Sequence, residues 1–87
     1  MFTRLVHVEQ VDAACGLHDC PLSWIDNFAM RNFTNDSEFD DTLPLADGLL
    51  EVGFRVPMEA LRSAMEDWFR RKGYIQPGDY LRVSELR

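Results

Sequence analysis

The sequence predicts one small domain of the α/β or α+β class, with its elements in the order β-α-β-α-β. Its 87 residues are enough for one domain and too few for two, so residues 1–87 are treated as a single domain. Hydrophobic residues make up 46% of the chain, which indicates a folded core despite a net charge of −6. Two helical hydrophobic patterns alternate with three strand patterns along the chain.

The three predicted strands are recognised by apolar residues that alternate with polar ones. The first covers residues 2–10 and the second runs from Leu50 to Val56. The last is short, over residues 80–84. Residues 11–20 are predicted to be a connector between the first strand and the first helix.

Both predicted helices begin at a proline and carry an apolar stripe. The first covers residues 21–33, and the second runs from Pro57 to Gly73, where we expect a left-handed cap. The stripes consist of Leu22, Ile25, Phe28, Ala29 and Phe33 in the first helix and Met58, Leu61, Ala64, Met65, Trp68 and Phe69 in the second. The simplest architecture is a three-stranded sheet with both helices on one face. Because such a sheet has two open edges, one expectation is a homodimer formed through a sheet edge.

Charge is unevenly distributed along the chain. Residues 1–54 contain ten acidic residues and two basic ones, whereas residues 55–87 contain five acidic and seven basic residues. An acidic surface repels nucleic acid and anionic lipid and attracts basic surfaces. We therefore expect a partner protein with a basic surface, no direct nucleic-acid binding and no membrane association. No apolar run approaches the roughly 18 residues that span a bilayer, and the composition predicts a cytoplasmic protein.

The acidic loop, residues 34–47, is the predicted contact surface for that partner. We expect its carboxylates to face arginine and lysine side chains of a nucleic-acid-binding groove and its apolar residues to add buried contact area. The residues predicted to bind the partner are Asp36, Glu38, Phe39, Asp40, Asp41 and Asp47. The alternative is a solvated loop whose charge only aids solubility. A loop of this length is longer than most connections, which favours a function.

A calcium site is a second interpretation of the acidic loop. Asp36, Glu38, Asp40 and Asp47 occupy positions 1, 3, 5 and 12 of a twelve-residue calcium-binding loop. The pattern fails at position 6, where Asp41 replaces the glycine of the sharp turn. Position 12 is also an aspartate in place of the longer bidentate glutamate. These departures weigh against specific calcium binding.

A zinc-stabilised adaptor domain is the alternative function. Two thiols and two imidazoles, from His7, Cys15, His18 and Cys20, are the ligand types that zinc prefers. Their spacing is not that of a standard zinc motif, because His18 and Cys20 are only two residues apart. The competing interpretation makes the cysteines small hydrophobic residues of the interior.

The sequence contains no recognisable catalytic constellation. A glycine-rich phosphate loop, a nucleophile elbow and a paired-histidine helix motif are all missing from it. We therefore expect no enzymatic activity and no cofactor. The predicted function is that of a protein-binding inhibitor or interaction module. In size and charge the chain is similar to small phage and mobile-element inhibitors such as DNA mimics and anti-CRISPR proteins, although no motif supports that likeness.

Overall fold

The described residues form two helices and an antiparallel sheet of five strands, an α+β arrangement. The computed structural model describes residues 3–12, 14, 16–33 and 42–86. In chain order the elements are β1 (Thr3–Asp12), β2 (Gly16–Asp19), α1 (Leu22–Phe33), β3 (Leu43–Ala46), β4 (Leu49–Gly53), α2 (Met58–Arg71) and β5 (Tyr80–Leu86).

The five-stranded sheet corrects the predicted three-stranded sheet, and the order is β-β-α-β-β-α-β in place of β-α-β-α-β. The two additional strands are β2, within the predicted connector, and β3, within the predicted acidic loop. All four residues of β2 are exposed, so this strand lacks the alternation that identifies a half-buried strand. β3 has four residues and contains Pro44, a residue found mainly on edge strands.

β1 is the central strand, and both of its edges are occupied. One edge pairs with β5 from Leu5 to Val11. The other edge is shared by two shorter strands, because residues 3–7 pair with β4 and residues 9–12 pair with β2. β3 extends the sheet beyond β4.

Gly48, in the turn between β3 and β4, joins the two strands that share this edge. Its carbonyl oxygen accepts a hydrogen bond from the Val8 amide at 2.8 Å, and its own amide donates to the Cys20 carbonyl oxygen at 2.7 Å. The Cys20 amide in turn donates to the Val8 carbonyl oxygen at 3.3 Å. The backbone hydrogen-bonding groups of Val8, Cys20 and Gly48 thus pair with one another at the position where neither β4 nor β2 pairs with β1.

Both helices contribute residues to one hydrophobic core on the side of the sheet that carries Val6 and Val8. Val6 and Val8 of β1 are fully buried, and they belong to one hydrophobic core that also contains apolar residues of both helices. The other core members are Cys20, Ile25, Phe28, Leu50, Val52, Val56, Leu61, Met65, Phe69, Ile75 and Leu81. At the margin of the core the Trp24 and Tyr74 rings stack with their centroids 4.8 Å apart.

The helix ends are held by groups that lie outside the helices. Asp47 accepts a hydrogen bond from the Leu22 amide at the start of α1, at 2.7 Å, where a helix leaves amides unpaired. Beyond α2, Gly73 has a φ of 78° and the Tyr74 amide donates to the Phe69 carbonyl oxygen at 2.9 Å, which confirms the predicted cap. Of the described helices, neither is long and apolar enough to cross a membrane.

Replacement of Gly48 by alanine is predicted to destabilise the fold more than replacement of Gly73. Both glycines have positive φ, which costs an L-residue about 1–2 kcal/mol. A Cβ at Gly48 would also lie 3.0 Å from the Asp19 side chain, whereas a Cβ at Gly73 would meet nothing within 4 Å. We expect Gly48→Ala to lower the free energy of unfolding in urea by about 1 kcal/mol more than Gly73→Ala does. Equal losses would show that Gly48 is not tightly enclosed.

Candidate functional site

The sheet face opposite the helices, which we call the open face, is covered by no described element. Because Val6 and Val8 point into the core, their neighbours Leu5, His7 and Glu9 point the opposite way. Directly paired residues of antiparallel strands share a face, so the register assigns the rest of the open face. Its other members are Thr3 and Val11 of β1 together with Leu17, Asp19, Leu43, Leu49, Glu51, Tyr80, Arg82, Ser84 and Leu86.

Apolar side chains lie at the two ends of the open face. We call Leu5, Leu43 and Leu86 the leucine end, and Val11, Leu17 and Tyr80 the tyrosine end. Exposed fractions are 53% for Leu43, 49% for Leu17 and 54% for Tyr80. Leu5 and Val11 are six residues apart on one strand, so the two ends are separated by about 20 Å.

Between these ends lies a charged centre formed by His7, Glu9, Asp19 and Arg82. The His7 Nε2 atom lies 2.8 Å from Asp19 Oδ1, and the Nδ1 atom lies 3.7 Å from Glu9 Oε1. Arg82 Nε lies 4.0 Å from Glu9 Oε1, from the neighbouring strand β5. His7 and Glu9 are half-buried, whereas Asp19 and Arg82 are exposed. The imidazole therefore has a carboxylate beside each ring nitrogen.

The same residues offer a set of ligand atoms for a cation. One ligand atom each from His7, Glu9 and Asp19 lie within 4.8 Å of one another. Glu9 and Asp19 are directly paired across β1 and β2, an arrangement in which two like charges destabilise a sheet. Positive charge between them relieves that repulsion, and the neighbouring positive group is the guanidinium of Arg82.

Most of the predicted partner-binding residues lie outside the described residues. These are Asp36, Glu38, Phe39, Asp40 and Asp41, and with them most of the calcium-loop pattern. Asp47 is described and exposed, but one of its carboxylate oxygens is occupied by the Leu22 amide. Asp47 thus anchors the start of α1, a role that its position in the sequence does not indicate.

Of the alternative zinc ligands, the three that the structure describes, His7, His18 and Cys20, are not brought together. Cys20 is fully buried among the core residues, whereas His7 points to the open face, so the sheet separates the two side chains. His18 is paired with Gln10 on the same side of the sheet as Cys20, yet it is exposed. Cys15 lies outside the described residues. Burial raises the pKa of Cys20 to about 12, with smaller contributions from the negative charges of Asp19 and Glu9, so its thiolate is disfavoured.

The outer edge of β5 is partly blocked at its beginning. The Leu81 amide points away from β1 and donates to Glu66 Oε2 of α2 at 3.0 Å. The same carboxylate oxygen accepts a hydrogen bond from Arg62 at 2.9 Å. An incoming strand would have to displace this carboxylate before pairing along the whole of β5.

From the sequence, His7 is a candidate metal ligand, but with Cys15, His18 and Cys20 as its neighbours. The alternation of the first strand already places His7 and Glu9 on the polar face, which was the available signal. Asp19 joins them only through β2, a strand without a hydrophobic pattern. The charged centre therefore depends on a pairing that the sequence does not indicate.

Cys20 is predicted to be inert towards a thiol reagent in the folded protein. In a Cys15→Ser background Cys20 is the only remaining cysteine, and both its burial and its raised pKa oppose the reactive thiolate. At pH 8 we expect labelling by a chromogenic disulfide to be at least about 100-fold slower in buffer than in 6 M guanidinium, because reaction requires opening of the core. Comparable rates would contradict the buried position of Cys20.

Comparison of the chain with protein-family models, with curated proteins and with solved structures finds no match.

Proposed function

We propose that this protein is a non-enzymatic binding module that docks its open face, with the adjoining acidic loop, on a basic surface of a partner protein. The observation that carries the proposal is an uncovered sheet face on which exposed apolar side chains surround carboxylates. The expected mode of action is inhibition: the protein occupies a nucleic-acid-binding surface of its partner.

The apolar ends supply the contact area. Leu43 and Leu86 at the leucine end, and Leu17 and Tyr80 at the tyrosine end, are the large hydrophobic residues that the register assigns to the open face and that are exposed. Clustered apolar groups of this kind on a protein surface mark interaction sites. A tyrosine in such a patch is a frequent anchor, because it combines a large apolar ring with a polar tip.

The charges of the open face select the partner. Glu9, Asp19 and Glu51 provide three carboxylates, against one guanidinium from Arg82. Glu51 accepts a hydrogen bond from Thr3 at 3.3 Å, and its side chain is otherwise directed to this face. An excess of negative charge between apolar anchors complements arginine and lysine side chains that lie between apolar recesses of a partner.

The acidic loop joins the open face at the leucine end. Asp41 ends the segment outside the described residues, and Leu43, two residues later, is already an exposed member of the open face. The loop carboxylates are thus covalently tied to the border of that face. We therefore expect residues 36–41 and the leucine end to contact the partner as one continuous surface.

The test is capture of a partner from a lysate of the source organism with four versions of the tagged chain. The open-face variant combines Leu43→Ser with Tyr80→Ser, and the loop variant combines D36N, E38Q, D40N and D41N. The matched control is Met30→Ser with Asp26→Asn, two exposed positions on α1. We expect the wild type and the control to capture the same protein. The amount captured by each of the other two variants should be at least about tenfold lower, which is the effect of removing one anchor residue.

Circular dichroism and urea unfolding establish that each variant is folded. Capture of the same protein by the open-face variant at wild-type level would refute docking through the open face. If the loop variant still captures the partner while the open-face variant does not, the acidic loop is not part of the contact surface. No captured protein with the wild type would remove the proposed function itself.

Salt dependence is a separate prediction for the captured complex. If carboxylates contact basic side chains, raising NaCl from 50 mM to 500 mM is expected to weaken binding by about tenfold or more, because screening shortens the reach of surface charges. The measurement is surface plasmon resonance with the purified partner. An affinity that does not change with salt would indicate an apolar interface and contradict an acidic one.

A further inference from the structure

We propose that His7, Glu9 and Asp19 form a binding site for a divalent transition-metal ion, with Zn²⁺ as the best match to the ligands. This site differs from the set of His7, Cys15, His18 and Cys20 considered from the sequence. It shares Glu9 and Asp19 with the proposed docking face, but it is argued from the charged centre and does not require the docking function.

The ligand atoms are close to the spacing that a metal requires. In a tetrahedral zinc site the ligand atoms lie about 2.0–2.1 Å from the metal, which places them about 3.3–3.4 Å from one another. His7 Nε2 and Asp19 Oδ1 are 2.8 Å apart, and all three ligand atoms lie within 4.8 Å. Even the widest of these separations therefore has to shorten by no more than about 1.4 Å to reach the spacing of a tetrahedral site.

The backbone holds the three residues in place. His7 and Glu9 are alternate residues of the central strand β1, so their side chains leave the same face. Asp19 is paired directly with Glu9 on the adjacent strand. Ligands carried by two paired strands are better fixed than ligands on a loop.

Charge favours a divalent ion at this position. Glu9 and Asp19 are opposite one another and repel, and the Arg82 guanidinium is 4.0 Å from Glu9. A divalent cation neutralises both carboxylates, while Arg82 approaches from β5 on the other side of Glu9. A metal ion bound to His7 Nε2 would take the place of the hydrogen bond between this atom and Asp19 Oδ1.

The donor set selects among metals. An imidazole nitrogen favours Zn²⁺ and neighbouring first-row ions over Ca²⁺ and Mg²⁺, which prefer oxygen ligands. Three protein ligands leave a fourth tetrahedral position. Because Asp19 is exposed, that position faces solvent, where water or a donor from another molecule completes the coordination.

The experiment is calorimetric titration of the full chain with ZnCl₂ at pH 7.5, with Co²⁺ absorption as a second measurement. We expect one ion per chain and a Kd of about 10 μM or tighter. His7→Gln and Asp19→Asn should each weaken binding by at least about tenfold. With Co²⁺, the visible absorption of a four-coordinate ion should appear in the wild type and be lost in both variants.

Matched controls separate this site from others on the chain. His18→Gln removes the only other histidine, Asp26→Asn removes an exposed carboxylate of α1, and Cys15→Ser removes a thiol of the alternative set. Each control should bind Zn²⁺ within about twofold of the wild type, a difference too small for loss of a ligand. Absence of stoichiometric binding by the wild type, or loss of binding in a control instead of in His7→Gln, would overturn the proposal.

Thermal unfolding gives a readout that does not depend on the calorimetric signal. A ligand that binds the folded state raises its stability by mass action, so excess Zn²⁺ should raise the Tm of the wild type and not that of Asp19→Asn. Asp19 is exposed and asparagine has the same shape, so this variant is expected to fold. Equal Tm shifts in the two proteins would refute Asp19 as a ligand.

Discussion

One edge of the central strand β1 is shared by two strands, and the rest of the structure depends on how this sharing is completed at Gly48. The β4 strand ends its pairing at His7 and the β2 strand begins its own at Glu9, so Val8 would lack backbone partners between them. Gly48 and Cys20 supply those partners. The same turn carries Asp47, which holds the start of α1, so a single turn positions two strands and a helix.

This arrangement gives the two faces of β1 different tasks. Val6 and Val8 are fully buried and join both helices in one core, whereas His7 and Glu9 lie on a face that no described element covers. Cys20 and Asp19, adjacent in the chain, are divided in the same way, one into the core and the other beside His7. Two adjacent residues therefore end in different environments: Cys20 is a buried thiol whose raised pKa disfavours the thiolate, and Asp19 is an exposed carboxylate beside His7.

Helices and strands that bury one side can be predicted from the sequence, whereas strands that bury neither side cannot. Both helices and the strands of Val6, Leu50 and Leu81 were predicted, because burial imposes a period on their apolar residues. β2 is exposed throughout and β3 contains Pro44, so neither carries that period. The site depends on the same distinction, since the alternation of β1 indicated the face of His7 but only the pairing of β2 adds Asp19. Asp47 was predicted as a contact residue, yet its bond to Leu22 follows from a contact between residues 25 positions apart.

The carboxylate of Glu66 limits how the outer edge of β5 can pair with a strand of another molecule. By accepting the Leu81 amide, it occupies the first outward backbone donor of β5, and Arg62 holds it there. A strand that presents fewer free donors is a poorer template for intermolecular sheet growth. At this end of β5 the protein therefore limits the backbone pairing through which sheet edges aggregate, so contact there is favoured through side chains.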